Sequence, residues 1–189
     1  KLAEHSWIDK YQKIDAAKEL VAKLRFLENE GSNLITVRLN VNNQYPSLAV
    51  GAAVLQPNRN KLNNAIAISI TEMDADNTRA EKAEVYRTLI QARHLWTQVL
   101  SNSRIYLANR VGAFNIEALP VQEKSIETLF SELRKNLLKL KKDADAGKLG
   151  FETTDAISVM LQSSDSWFEG YKQVKIINHS DEWRQDAKI

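Results

Sequence analysis

The sequence predicts an all-α fold: an elongated antiparallel four-helix bundle with a smaller helical module at the end away from the chain termini. Three observations lead there. Apolar residues recur at intervals of three and four over four long stretches, the spacing that lines one face of a helix. Helix breakers are scarce, with six Gly and three Pro in 189 residues, too few for the turns of an all-β domain. Apolar residues make up 43% and charged residues 26%, a balance that supports a packed core and argues against disorder.

The first stretch carries Trp7, Tyr11, Ile14, Val21, Leu24 and Leu27 on one stripe. It can run on through Leu34, Ile35, Arg38 and Val41, although Gly31 within it costs about 1 kcal/mol relative to alanine. Breakers follow, Asn42-Asn43-Gln44-Tyr45-Pro46 and then Gln56-Pro57-Asn58. They bracket an apolar piece, Leu48 to Leu55, whose length and neighbours favour a short helix over a strand. A helical run from about Arg59 to Met73 comes next. The second long stretch, about 77 to 114, places Leu89, Ala92, Trp96, Val99, Ser103, Tyr106 and Arg110 on one face. The third starts at Pro120, suited to a first helical turn, and carries Ile126, Phe130, Leu133, Leu137 and Leu140 until Ala146-Gly147 stops it. The fourth starts near Thr153-Thr154-Asp155, good N-cap chemistry, and continues through Ile157, Met160, Ser164, Trp167, Tyr171 and Val174.

The links at 115–119 and 147–152 are short enough to make the last three helices antiparallel neighbours. At 1.5 Å per residue the third and fourth helices reach about 40 to 45 Å, and the first two overshoot that height. One domain over 1–189 is therefore expected, with about 1–35 plus 85–189 as the main bundle and about 36–84 as the distal module. Both termini fall at the opposite end. The chain starts at Lys1 and ends at Ile189 within helical pattern, as expected for a piece of a longer protein inserted between two membrane helices.

Several function classes lose support. The net charge is +2, and the densest basic run, Lys135 to Lys142, alternates with leucines, which reads as a solvated helix face and not as a nucleic-acid surface. There is no cysteine, so disulfides and thiolate metal sites are excluded. No stretch reaches the roughly 20 apolar residues of a membrane span. A di-iron bundle needs Glu-x-x-His pairs, but Gln91 and Ile176 stand three before His94 and His179. The segment Asp143 to Gly147 departs from a calcium loop in its glycine position and in Thr154 at position twelve. Phosphate loops and a Gly-x-Ser-x-Gly turn are lacking. No catalytic set, metal or cofactor is expected.

The polar residues on the second stripe are more informative. Ser103 and Arg110 share it with Trp96 and Tyr106, while Arg93 and Arg104 lie on its edge. An inward guanidinium needs an anionic partner, and a small carboxylate can supply one in a two-pronged fashion. Counting levels along the helices brings Arg104 and Tyr106 near Tyr11, Phe130 and Tyr171. The candidate ligand layer is Tyr11, Ser103, Arg104, Tyr106, Arg110 and Tyr171, against the competing reading of structural pairing between helices. Arg38, Asn42, Asn43, Tyr45 and Asn58 form a second candidate set. Trp7 and Trp183, near the termini, fit rim packing or a membrane-interface belt.

The stretch Trp96 to Pro120 (WTQVLSNSRIYLANRVGAFNIEALP), the Leu-rich helix after it and the closing Asn178-His179-Ser180-Asp181-Glu182-Trp183-Arg184 resemble the extracytoplasmic sensor regions of bacterial histidine kinases, diguanylate cyclases and chemoreceptors. The helix layout is similar to that of the helical bimodular sensors, a class that binds small organic acids. The resemblance implies a periplasmic, ligand-sensing part of an inner-membrane receptor, acting as a homodimer and touching the membrane only through flanking segments. A helical interaction or scaffold domain that takes another protein's helix is the rival expectation.

Overall fold

The computed structural model describes residues 14–75, 82–112 and 114–189. All regular structure among them is helical. The helices are α1 (Ile14–Arg38), α2 (Val41–Gln44), α3 (Pro46–Val50), α4 (Gln56–Ala75), α5 (Ala83–Gly112), α6 (Leu119–Asp145) and α7 (Phe151–His179). A π-helical turn, Gly51–Leu55, joins α3 to α4, and short 3-10 turns lie at Ile116–Ala118, Asp181–Trp183 and Gln185–Ala187. The ambiguous Leu48–Leu55 piece is thus helical, part α and part π.

The chain divides into two compact units, residues 47–180 and residues 1–46 with 181–189. Helix α4, assigned from sequence to a distal module, shares a unit with α5, α6 and α7, and α1 belongs to the other.

In the larger unit the predicted stripes become the core. Leu89, Ala92, Trp96, Val99 and Tyr106 of α5, Ile126, Phe130, Leu133, Leu137 and Leu140 of α6, and Ile157, Met160, Trp167, Tyr171 and Val174 of α7 are all buried. Helix α4 adds Leu62, Ala65, Ile66 and Met73. Aromatic rings tie the helices together. Trp96 meets Trp167 edge-on at 5.1 Å, and Phe130 stacks on Phe168 at 4.0 Å. Such pairs each add about 0.5–1.5 kcal/mol beyond the area they bury. Gly170 of α7 lets the π turn approach closely, since a Cβ there would lie 2.8 Å from Val54 Cγ1 and 3.0 Å from Leu55 Cδ2.

The start of α7 shows where local pattern was insufficient. Thr153-Thr154-Asp155 looked like the cap, yet the helix begins at Phe151 behind Gly150, whose lack of a side chain leaves the first amides unserved. Glu72 of α4 serves them instead, accepting from Thr153 N at 2.7 Å and Glu152 N at 3.2 Å. Partial burial pushes the Glu72 carboxyl up, but the hydrogen bonds from Thr153 and Glu152 outweigh it and hold it below the usual range. A carboxylate with a lowered folded-state pKa stabilises above its unfolded value and loses that contribution as pH falls through the folded one. Glu72→Ala should lower unfolding stability by about 1 kcal/mol at neutral pH. Its difference from the parent should shrink in acid, as denaturation at a series of pH values would show; a constant difference would count against the cap.

In the smaller unit α1 runs through Gly31 without a break, and Ser32 and Thr36 return hydroxyl hydrogen bonds to Glu28 O and Ser32 O. Asn40 caps α2 by accepting from Asn42 N at 2.9 Å. The buried carboxylate of Asp186 accepts from Arg38 Nε (3.0 Å), Gln44 Nε2 (3.0 Å) and Arg184 Nε (2.6 Å), fastening the last turn to α1 and α2. Tyr45 and Trp183 lie with ring centroids 6.3 Å apart. No described helix is long and apolar enough to cross a membrane.

Candidate functional site

Helix α4 packs mainly on α7 and α5 mainly on α6, so the edge between α4 and α5 stays open. A groove of about 680 Å³ runs along it, lined by Asn63, Ile66, Ile70 and Thr71 on one side and Arg93, Thr97, Leu100, Ser101 and Arg104 on the other. Beside it lies a smaller cavity of about 310 Å³, where Arg104 recurs with Arg59, Gln56 and Ser103 over an apolar floor of Leu48, Leu55, Leu107 and Trp167. The π turn forms one wall of this cavity. Such turns are frequent at functional sites because the extra residue displaces backbone and side chains from helical register.

A polar contact spans the edge, Trp96 Nε1 donating to Asn63 Oδ1 at 2.9 Å, which satisfies the buried indole. The Thr97 hydroxyl donates to Arg93 O at 2.9 Å, and Ser103 Oγ to Val99 O at 2.7 Å, so both still have lone pairs to offer. Arg59 makes long hydrogen bonds to Asn60 Oδ1 at 3.3 Å. Arg93 and Arg104 are exposed and form no ion pair with any described residue. They are eleven residues apart on α5, about 16 Å along the axis. Guanidinium groups in a concave, partly apolar site are suited to two-pronged binding of a carboxylate or phosphate.

The predicted layer therefore splits. Arg104 and Ser103 line the open edge, whereas Tyr106, Arg110 and Tyr171 belong to a polar layer among α5, α6 and α7; Tyr11 lies outside the described residues. Tyr106 and Tyr171 are buried with their rings at 6.1 Å. Burial pushes both phenols well above their ordinary range, and desolvation lowers Arg110. Asn178 and Glu123 influence the Tyr106 hydroxyl, though neither phenol makes a well-formed hydrogen bond among the described residues. Glu123, almost wholly buried, accepts from His179 Nε2 at 2.7 Å and pairs with Lys175 at 3.4 Å, and Lys175 also reaches Glu127 at 2.8 Å. Glu123 and Glu127 with Lys175 and His179 thus join α6 to α7 beside the two phenols.

The second candidate set is divided between the units, with Arg38, Asn42, Asn43 and Tyr45 in the smaller and Asn58 in the larger. Arg38 is held by Asp186, Tyr45 lies by Trp183, Asn58 donates to Val54 O at 2.9 Å, and Asn42 and Asn43 are exposed. Residues missed from sequence include Glu123 and Asn178. Each occupies a buried stripe, Glu123 three before Ile126 and Asn178 four after Val174, so a polar residue at core spacing was the readable signal. Asn63, Gln56 and Arg59 had no such signal, because their role depends on α4 lying beside α5.

Comparison with known protein families, with curated proteins and with solved structures finds no match to this chain.

Proposed function

We propose that this chain is a ligand-sensing helical-bundle domain that binds a small polar or anionic molecule along the α4/α5 edge and relays its presence by helix displacement. One observation carries the reading: Arg104 lines both the groove and the neighbouring cavity while no carboxylate of the described residues neutralises it. A ligand there would draw Arg104 and Arg59 together across the π turn. The close contact of that turn with α7 at Gly170 offers the route onward. Such a relay requires different ligand affinity in two helix arrangements. The wider reading, a periplasmic input of a bacterial inner-membrane receptor, rests on the sequence resemblance. Apolar spans just outside residues 1 and 189 of the parent gene would support it.

A melting-temperature screen against small organic acids, amino acids and inorganic phosphate tests the binding, since a ligand of the folded state raises the midpoint by mass action. Arg104→Ala should weaken the best binder by roughly 10- to 100-fold, the loss of a charge-assisted hydrogen bond. Arg104→Lys should recover part of it, and the unliganded melting temperature should barely change because the side chain is exposed. Absence of a shift with every compound, or a shift indifferent to Arg104→Ala, overturns the proposal.

The second reading, a helical interaction or scaffold domain without a small ligand, is favoured by the apolar residues that α1 leaves exposed.

A further inference from the structure

Helix α1 carries a pattern that the ligand reading does not use. Its residues Ala17, Leu20, Leu24, Leu27, Gly31 and Leu34 follow one another at intervals of three, four, three, four and three, the a and d positions of a heptad. Leu20, Leu24 and Leu27 are 50%, 48% and 63% exposed, far from the burial that this spacing confers when a partner helix is present. The described packing of α1 is concentrated at its other end, where Arg38 meets Asp186 and α2 adjoins. A single amphipathic helix gains little stability in water without tertiary or quaternary burial of its apolar stripe.

We propose that this face pairs with the same face of a second copy of the chain, forming a short two-stranded coiled coil. Charge selects this occupant. In the heptad that starts at Ala17, Lys23 takes a g position, Glu28 an e position and Glu30 a g position. If the two helices run parallel, Lys23 faces Glu28 of the other copy; if they run antiparallel with Leu24 against Leu27, Lys23 faces Glu30. Either direction brings opposite charges together twice, on opposite sides of the seam in the parallel pair and on one side in the antiparallel pair. Lys23 already reaches Glu19 on its own helix at 2.6 Å, and its long stem lets it swing to the partner. Glu28 and Glu30 make no ion pair among the described residues, so both are available. Two and a half heptads form a weak seam, and the association is therefore concentration-dependent. It is independent of the anion site, whose residues lie in the other unit.

Sedimentation of the whole chain over a concentration series tests this. The mass should rise toward twice the 21.5 kDa of one chain. Leu24→Asp and Leu27→Asp should each hold the chain at monomer mass while leaving the main unfolding transition in place, which separates lost pairing from lost folding. Ala22→Asp, at the outward f position, should associate like the parent, and Lys23→Glu should weaken association several-fold in low salt. A monomer at every concentration overturns the proposal. So does a dimer that survives both leucine variants, or one that Ala22→Asp disrupts equally.

Discussion

Replacing Trp167 by alanine should lower the stability of the larger unit by about 3–5 kcal/mol, the cost of deleting a fully buried aromatic. Trp167 is almost wholly buried, meets Trp96 edge-on at 5.1 Å and stacks nearly parallel to Tyr171 at 5.9 Å. Its side chain also lines the smaller cavity, so truncation would enlarge that space. Calorimetry should record a melting temperature lower by on the order of 10 °C. Trp167→Phe, which keeps an aromatic face toward Trp96, should cost clearly less. Equal costs for the two variants would mean that the stacking contributes nothing beyond bulk.

Asp186→Ala should release the closing turn from α1 and α2, with a local cost of about 2–3 kcal/mol. The carboxylate is buried and accepts from three side chains, Arg38, Gln44 and Arg184, with Arg184 binding through both Nε (2.6 Å) and Nη2 (3.1 Å). The hydrogen bonds from Arg184 outweigh the opposing effect of burial, and with those from Arg38 and Gln44 they hold the carboxyl far below the usual carboxylate range. The cost stays below that of a wholly buried pair because both guanidinium groups retain solvent contact and can rehydrate. Stability from this group is complete above the unfolded carboxylate pKa and is lost as pH falls through the much lower folded value. Amide hydrogen exchange at residues 181–189 and 36–46 should speed up about 30- to 150-fold in the variant at neutral pH, the same free energy expressed as a rate. Unchanged protection there, or faster exchange spread evenly over α4 to α7, would contradict a local clasp.

Much of the core was legible because α5, α6 and α7 each present a single apolar stripe that their neighbours bury. Every apolar residue assigned to the third and fourth stripes is buried. The first stripe obeys the same spacing, yet Leu24 and Leu27 are exposed, since spacing reveals which face seeks a partner without naming the partner. Of the candidate ligand layer, Arg104 and Tyr106 were joined by counting levels along the axis. Residues two apart on a helix point about 200° apart, and the structure accordingly places one at the open edge and the other in the interior.

By itself the sequence determined an all-helical chain, the extents of its long helices to within a turn or so, the residues of the main core and the lack of disulfide chemistry. These are consequences of local spacing and composition, which act within a few residues of chain. Only tertiary structure decided that α4 shares a unit with α5, α6 and α7, that Glu72 caps α7 from 81 residues away and that Asp186 closes on Arg38 across 148. Such choices turn on how side chains distant in sequence fit together in space, and the packing of whole faces settles them.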